Sequence, residues 1–229
     1  MIGIKELIVL ITSALVLGYL TQFPQFAITG WLMASSLALL MLAVNTFGYK
    51  VAARFFDSNA EIHHWNIYRY GLNSTRNLKH PVPAWAILPL GLIFITWGWA
   101  KWLAVTIFDV VPLKLRARRV FSRVSEWDAA LIGISGLFLN ILLAFASKLL
   151  GYPDFARLNL YFVLFNLIPL GTLTGNRIFF GSKYLWIFAA IFTLAVLVLM
   201  DMTTLIGVIA LAILLALGAV GLFYSLIEA

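Results

Sequence analysis

The chain has 229 residues, of which 63% are hydrophobic and only 11% are charged, and its mean hydropathy is +1.00. Charged residues make up about a quarter of a typical soluble domain, so this composition excludes a soluble globular protein and indicates an integral membrane protein. The net charge of +7 does not indicate nucleic-acid binding, because Lys and Arg collect in the cytoplasmic loops of membrane proteins. The sequence has no cysteine, which excludes disulfides, thiolate metal sites and cysteine nucleophiles.

Several apolar runs approach or exceed the ~20 residues that a helix needs to cross the hydrocarbon core. They predict transmembrane helices at about 7–23, 26–48, 128–149, 157–172, 184–200 and 203–226. No small-x-small cleavage site follows the first run, so we predict an uncleaved helix there rather than a signal peptide. No linker is long enough to separate domains. The fold prediction is therefore a single all-α polytopic membrane domain over 1–229, with about six transmembrane helices and short membrane-associated strands.

A further apolar segment, about 83–108, decides the topology. It lies between two basic stretches, 50–81 and 109–127. If the segment crosses once, Lys and Arg outside it divide eight against seven between the two sides, and if it dips in and returns they divide thirteen against two. The positive-inside rule favours the second arrangement, so we predict a re-entrant or interfacial segment, with the N-terminus and the basic loops in the cytoplasm. A single crossing remains an alternative, because 26 residues of helix span about 39 Å.

Polar side chains inside apolar runs are costly there, and each is a candidate for function. Those that stand out are Asn45, Thr46, Tyr49, Asn140, Asn159, Asn166, Thr172, Thr174 and Asn176, none of them charged. The alternative is a structural role, since Asn and Thr commonly form hydrogen bonds between membrane helices.

The run 157–172 ends in "FNLIPLGTLTGNRIFFG", where Pro169, Gly171 and Gly175 predict a broken helix. Non-helical backbone at membrane depth occurs only where protein buries it or where it lines a cavity. We therefore predict a polar cavity at the inner end of this run, next to the polar end of the run 26–48.

This ending resembles the N-x-x-P…L-D-G element of the site-2 proteases, the intramembrane zinc metalloproteases. The matching residues are Asn166, Pro169, Leu173 and Gly175, and Thr174 stands where the family has its Asp. Upstream, "NTFGYKVAARFFDSNAEIHHW" resembles the H-E-x-x-H helix and its archaeal sequel through Lys50, Ala53, Arg54, Ala60, Glu61 and Trp65. "SGLFLNILLAF" resembles the G-P-x-x-N helix through Gly136 and Asn140, and "VPLKLRARRVFSRVSEW" resembles the strand before it. The resemblance covers about 28–200 and implies an archaeal source.

In the site-2 proteases, two imidazoles at i and i+4 and one carboxylate hold Zn²⁺, and a Glu takes the proton from its bound water. The corresponding residues here are Asn45 and Tyr49 for the imidazoles, Thr46 for the Glu and Thr174 for the carboxylate. Neutral amide, phenol and alcohol groups are weak metal donors, and an alcohol is no general base near neutral pH. We therefore predict a pseudoenzyme with no catalytic residues, bound metal or cofactor. Asn45, Tyr49 and Thr174 can instead hydrogen-bond to one another and clamp two helices.

A relocated zinc site would have to use Glu61, His63, His64 and His80. Adjacent residues of an extended strand point to opposite faces, so His63 and His64 do not readily share one ion. We expect these histidines to be ordinary interfacial residues.

Three functional hypotheses follow. The first is a proteolytically inactive site-2-protease-like subunit with a binding, regulatory or structural role, whose binding residues are Asn140, Asn166, Pro169 and Gly175. Its partners would be membrane lipids and another membrane protein, with no nucleic acid. The second is an active intramembrane metalloprotease with atypical ligands. The third is a transporter or channel component, for which the nearly polar-free runs 184–200 and 203–226 provide no continuous polar path.

Overall fold

The computed structural model describes residues 3–69, 77–113, 124–202 and 204–228. Within these ranges the helices are α1 (Ile4–Gln22), α2 (Ile28–Phe55), α3 (Ala84–Ile95), α4 (Glu126–Leu149), α5 (Pro153–Leu167), α6 (Thr174–Gly181), α7 (Lys183–Leu199) and α8 (Leu205–Glu228). The strands are β1 (Ser58–His64), β2 (Ile67–Arg69), β3 (Asn77–Val82) and β4 (Thr106–Pro112). Residues 114–123 of the basic stretch 109–127 and residues 70–76 of the stretch 50–81 lie outside the described residues.

Four helices are long and apolar enough to cross a membrane: α1, α2, α4 and residues Leu205–Leu226 of α8. Helices α5 and α7 have 15 and 17 residues, which gives lengths of about 22 and 26 Å, less than the ~30 Å of a hydrocarbon core. The predicted number of six spans is therefore not confirmed. The structure supports a mostly helical membrane protein with four candidate spans and a few short strands.

Two predicted helix ends are wrong. Helix α2 continues to Phe55, well past the predicted end at 48, because Lys50 and Arg54 interrupt the apolar pattern without interrupting the helix. Helix α5 ends at Leu167, before the predicted end at 172. The residue that precedes a proline is disfavoured in the α conformation, and Ile168, which precedes Pro169, is extended with φ −62° and ψ 126°.

Helices α1 and α2 form an antiparallel pair that also holds strand β1. The Lys50 Nζ atom donates to the Glu6 Oε1 and Oε2 atoms at 2.7 and 3.0 Å and to the Ala60 carbonyl oxygen at 3.0 Å. The Ile62 N–H donates to Glu6 Oε1 at 3.1 Å. This largely buried ion pair therefore holds the last part of α2 and the first half of β1 against the first turn of α1.

The segment 83–108 follows an out-and-back path along α1. At its start, the Trp85 ring stacks on the His64 ring at 4.0 Å, and His64 Nε2 lies 3.1 Å from Thr12 Oγ1, midway along α1. At the far point, the Phe94 ring contacts the Phe23 ring at 5.6 Å, just beyond the end of α1. The chain then returns to β4.

Strands β1 and β4 are antiparallel, with His64 opposite Thr106 and Ser58 opposite Pro112. The chain therefore enters and leaves this unit at the end of the bundle where Glu6 lies, which we call the Glu6 end. The backbone of 83–108 therefore follows a hairpin path, and its re-entrant position in a membrane stays a prediction. The opposite end, where α1 finishes and α5 begins, is called the Arg157 end.

The core is divided between two groups of helices. One cluster is centred on α1, α2 and the β1–β4 pair, and another packs α4, α5, α7 and α8. A third, smaller cluster around Trp65, Trp102 and Leu173 lies beside them. Helix α8 is the most exposed of the candidate spans, since only 17% of its apolar window is buried inside the protein, whereas half of the window of α4 is buried.

Candidate functional site

Helices α2 and α4 cross in backbone contact at two glycines. A Cβ atom on Gly48 would lie 2.6 Å from the Gly136 Cα atom, and a Cβ atom on Gly136 would lie 2.3 Å from the Tyr49 ring. Small residues allow membrane helices to approach this closely. Only glycine fits at these two positions, and the crossing presses the face of α2 that carries Asn45 and Tyr49 against α4.

Helix α6 brings Thr174 into the same crossing. Gly175, in its first turn, lies so close to the end of α5 that a Cβ atom would be 2.1 Å from the Leu167 carbonyl oxygen. The Thr174 methyl carbon lies 3.1 Å from the position of a Cβ atom on Gly133 of α4. The break between α5 and α6 therefore directs the Thr174 side chain at α2 and α4.

Tyr49 and Thr174 are joined by a buried hydrogen bond. The Tyr49 hydroxyl lies 3.1 Å from Thr174 Oγ1, and both residues are at most 3% exposed. Asn45 lies one turn before Tyr49 on the same helix and is 2% exposed. Of the hydrogen bonds predicted among Asn45, Tyr49 and Thr174, the one between Tyr49 and Thr174 is present, and it joins neutral groups.

Phe108 of β4 fills the space beside this hydrogen bond, a feature that the sequence analysis missed. Its ring stacks on the Tyr49 ring at 4.5 Å and is fully buried. The Arg177 guanidinium lies 5.1 Å from the Phe108 ring centroid and pairs with the Asp109 carboxylate. No spacing in the sequence links Phe108 to Tyr49, because the contact depends on the pairing of β4 with β1.

The residues of this crossing do not fit a zinc ion. A tetrahedral zinc site needs anionic or imidazole ligands, whereas Asn45, Tyr49 and Thr174 offer neutral oxygen and nitrogen atoms. The Tyr49 and Thr174 oxygens are already hydrogen-bonded to each other, and the nearest anion among the described residues, Asp109, is paired with Arg177. Among the described residues, no group of three or more His, Asp or Glu side chains has a metal-binding arrangement.

Two asparagines near the crossing have buried amide atoms without a hydrogen-bond partner among the described residues. In the described part of the chain, Asn45 Nδ2 and both amide atoms of Asn140 are buried and have no hydrogen bond. Asn45 precedes Gly48 by about one turn on α2, and Asn140 follows Gly136 by about one turn on the antiparallel α4. The two amides therefore lie at a similar level, on the side of the crossing that faces the Arg157 end. Thr46 is equally buried, at 2% exposed.

The remaining predicted binding residues have local roles or lie at the helix break. Asn166 Nδ2 donates to the Phe162 carbonyl oxygen of its own helix at 2.9 Å. Pro169 is exposed beside the break, and Gly175 permits the close approach of α5 and α6. These residues do not meet Asn140 through any hydrogen bond within the described ranges.

A cavity of about 730 Å³ lies at the helix break, as the sequence predicts. Its walls come from the β1–β2 region and the loop after α5, and they include Trp65, Ile67, Tyr68, Leu170 and Thr172. The walls are more apolar than expected, with Asn66 and Thr172 among the few polar side chains. The loop at the helix break therefore forms one wall of an open groove, and most of the side chains in the groove are aromatic or aliphatic.

The histidines of β1 point to opposite faces, as expected for adjacent strand residues. His63 Nε2 lies 3.8 Å from Glu61 and 3.9 Å from Asp109, whereas His64 faces α1 and stacks on Trp85. Burial, together with the neighbouring His63, lowers the pKa of His64 below its ordinary value of 6.5. His80 is exposed on β3.

Comparisons with known proteins gave no match: no family model, no curated protein and no solved structure is similar to this chain at a significant level.

Proposed function

We propose that this chain is a proteolytically inactive, site-2-protease-like membrane protein that binds a segment of a partner membrane protein. The observation that carries the proposal is the buried Tyr49–Thr174 hydrogen bond, covered by Phe108. A hydrolase needs an activated water and space for the substrate next to its metal. Here neutral groups occupy that position, and a side chain fills the adjacent space.

The binding role is supported by the groove at the helix break. A transmembrane protein tolerates irregular backbone at depth where that backbone lines a cavity, and the loop around Leu170 faces a groove of about 730 Å³. Strand residues Ile67 and Tyr68 form the opposite wall. An extended peptide can add to strand edges while its side chains enter adjacent pockets, so the groove suits an extended, apolar segment of a partner.

The proposal includes a topology with six crossings in the cell membrane. The four long helices account for four of them. Helix α7 would be a short fifth crossing, and α5 and α6 would cross together as one broken helix, with Pro169 at the break. The Glu6 end would then face the cytoplasm, because Lys5, Lys50 and Arg54 lie towards it.

Site-specific photo-crosslinking tests the binding role. A photoreactive phenylalanine analogue at Leu170 in the groove should crosslink one polypeptide in intact cells, at its full length. The matched control is the same analogue at Leu214 of α8, a position that is also exposed, at 65% against 48% for Leu170. The control should give lipid adducts and no defined polypeptide.

Two results would contradict the proposal. Equal crosslinking to polypeptides from both positions would mean that the groove is not a specific binding surface. A crosslinked partner that is cleaved in the presence of this chain, and left intact when a zinc chelator is added, would indicate an active protease.

A further inference from the structure

A second cavity, of about 530 Å³, lies at the Arg157 end. Its deeper wall is apolar and includes Leu92, Leu103, Leu158 and Phe165. Its lining also contains the aromatic residues Trp99 and Tyr161 and the charged residues Lys101, Asp154 and Arg157. The cavity therefore combines an apolar wall with an aromatic and charged rim.

A tight turn after α3 places Lys101 at this cavity. Trp97 and Gly98 have positive φ angles of 54° and 87°. The Gly98 N–H donates to the Ile93 carbonyl oxygen at 2.8 Å, and the Ala100 N–H donates to Thr96 Oγ1 at 3.0 Å. The chain reverses direction within these few residues, so Lys101 occupies a defined position.

One cation at the cavity, Lys101, has no carboxylate partner in the described part of the chain, whereas the others form ion pairs. Arg157 Nη2 lies 2.6 Å from Asp201 Oδ2, and Lys148 Nζ lies 3.8 Å from Asp201 Oδ1. Asp154 lies 3.7 Å from Arg157. Among the described residues, no carboxylate pairs with Lys101, and partial burial lowers the pKa of its ammonium group.

This arrangement runs against the general charge distribution of the protein. Cations are expected to be scarce at the Arg157 end if the Glu6 end is cytoplasmic, yet Lys101, Lys148 and Arg157 all lie there. Arg157 and Lys148 balance the two carboxylates, Asp154 and Asp201, so the excess positive charge of the group is that of Lys101. A partly buried, unpaired ammonium is unfavourable and is relieved when an anion binds beside it.

We propose that this cavity binds one anionic phospholipid, with its phosphate on Lys101 beside Arg157 and an acyl chain along Leu92 and Phe165. A soluble anion would satisfy the ammonium and leave the apolar wall exposed, whereas a lipid satisfies both. Trp99 and Tyr161 suit the headgroup level, where amphipathic aromatic rings are favoured. The site does not depend on the groove at the helix break.

Native mass spectrometry of the full-length protein in detergent tests this site, with dioleoyl phosphatidylglycerol and dioleoyl phosphatidylcholine as probes. The wild type should retain one phosphatidylglycerol in preference to phosphatidylcholine. Lys101→Gln should weaken phosphatidylglycerol binding about tenfold or more, because it removes a charge-assisted contact with the phosphate. Lys101→Arg keeps the charge and should preserve the preference.

Lys148→Gln is the matched control. It also removes a cation from the Arg157 end, but the Lys148 side chain does not line the cavity. It should retain phosphatidylglycerol as the wild type does. Equal losses in Lys101→Gln and Lys148→Gln, or equal retention of both lipids by the wild type, would overturn the proposal. Displacement of the lipid by millimolar inorganic phosphate would also overturn it, since the site would then bind only the ion.

Discussion

Tyr49 and Thr174 meet in a neutral crossing that is at most 3% exposed, whereas Lys101 and Arg157 lie at the rim of an open cavity at the opposite end. The first region corresponds to the position where the resemblance places a metal and a water molecule. The second region has no counterpart in that resemblance. The difference shows that the buried neutral crossing stabilises the packing of α2, α4 and α6, whereas the charged side chains available to a ligand lie at the opposite end.

The largest expected difference in stability is between loss of the Glu6–Lys50 ion pair at one end and loss of the Arg157–Asp201 ion pair at the other. Lys50→Met leaves the Glu6 carboxylate nearly buried and unpaired, because the side chains are only 12% and 11% exposed. Loss of one partner of a buried pair costs about 3–5 kcal/mol. Asp201, the exposed partner of Arg157, provides the control. Asp201→Asn removes a surface ion pair and should change stability little.

Thermal and denaturant unfolding in the same detergent measures both variants. A combined Glu6→Gln, Lys50→Met variant should recover part of the loss, because the Gln oxygen can still accept from the Ile62 N–H. Equal, small effects of Lys50→Met and Asp201→Asn would show that the Glu6 pair is solvated and that the two ends do not differ in this respect.

A methyl group at the crossing should be the next most damaging change. Gly136→Ala places a Cβ atom 2.3 Å from the Tyr49 ring, and overpacking of this kind costs about 1–3 kcal/mol. Gly218→Ala on α8 adds the same methyl group where no atom lies within 4 Å. Unfolding measurements should therefore separate the two variants, and an unchanged Gly136→Ala protein would argue against a tight α2–α4 crossing.

Loss of the Tyr49–Thr174 hydrogen bond should destabilise the protein by no more than the methyl group at the crossing. Either Tyr49→Phe or Thr174→Val removes one partner and leaves the other buried without it, at a cost of about 1–3 kcal/mol. The double variant should cost less than the sum of the two, because no polar group is then left unpaired. Strict additivity in this double-mutant cycle would mean that the two side chains do not interact.

The smallest expected effect is a pH dependence at β1. Burial depresses the pKa of His64 in the folded state below its ordinary value of 6.5, so the unfolded chain binds the proton more readily. Stability is therefore complete above pH 6.5 and falls as the pH drops below it. His64→Gln should remove this part of the pH profile, whereas His63→Gln should only reduce it, because burial is the larger cause of the lowered pKa of His64; the reverse pattern would contradict the assignment.

The sequence predicts the local features of the site better than its distant contacts. The motif residues indicate that Tyr49 and Thr174 would meet, and Pro169 indicates a helix break. The predicted end of α2 was wrong because Lys50 and Arg54 mark a change from an apolar to a polar environment, while the backbone continues as a helix to Phe55. Polarity and helix boundaries are separate properties of a membrane segment.

Two important contacts had no reliable signal in the sequence. Phe108 reaches Tyr49 through the register of β4 on β1, which is set by residues about fifty positions apart. Glu6 pairs with Lys50 across two helices, and although a lone acid in an apolar run invites a search for a cation, the sequence offers several. Such long-range pairings depend on tertiary packing, which local periodicity does not encode.

Zinc content tests the central claim most directly. The full-length protein, grown with zinc and purified in mild detergent without chelators, is analysed by elemental mass spectrometry beside Thr174→Ala. The account predicts far less than one zinc ion per chain in both proteins, because the α2–α6 contact holds only neutral donors. About one zinc ion per wild-type chain, lost in Thr174→Ala, would contradict it.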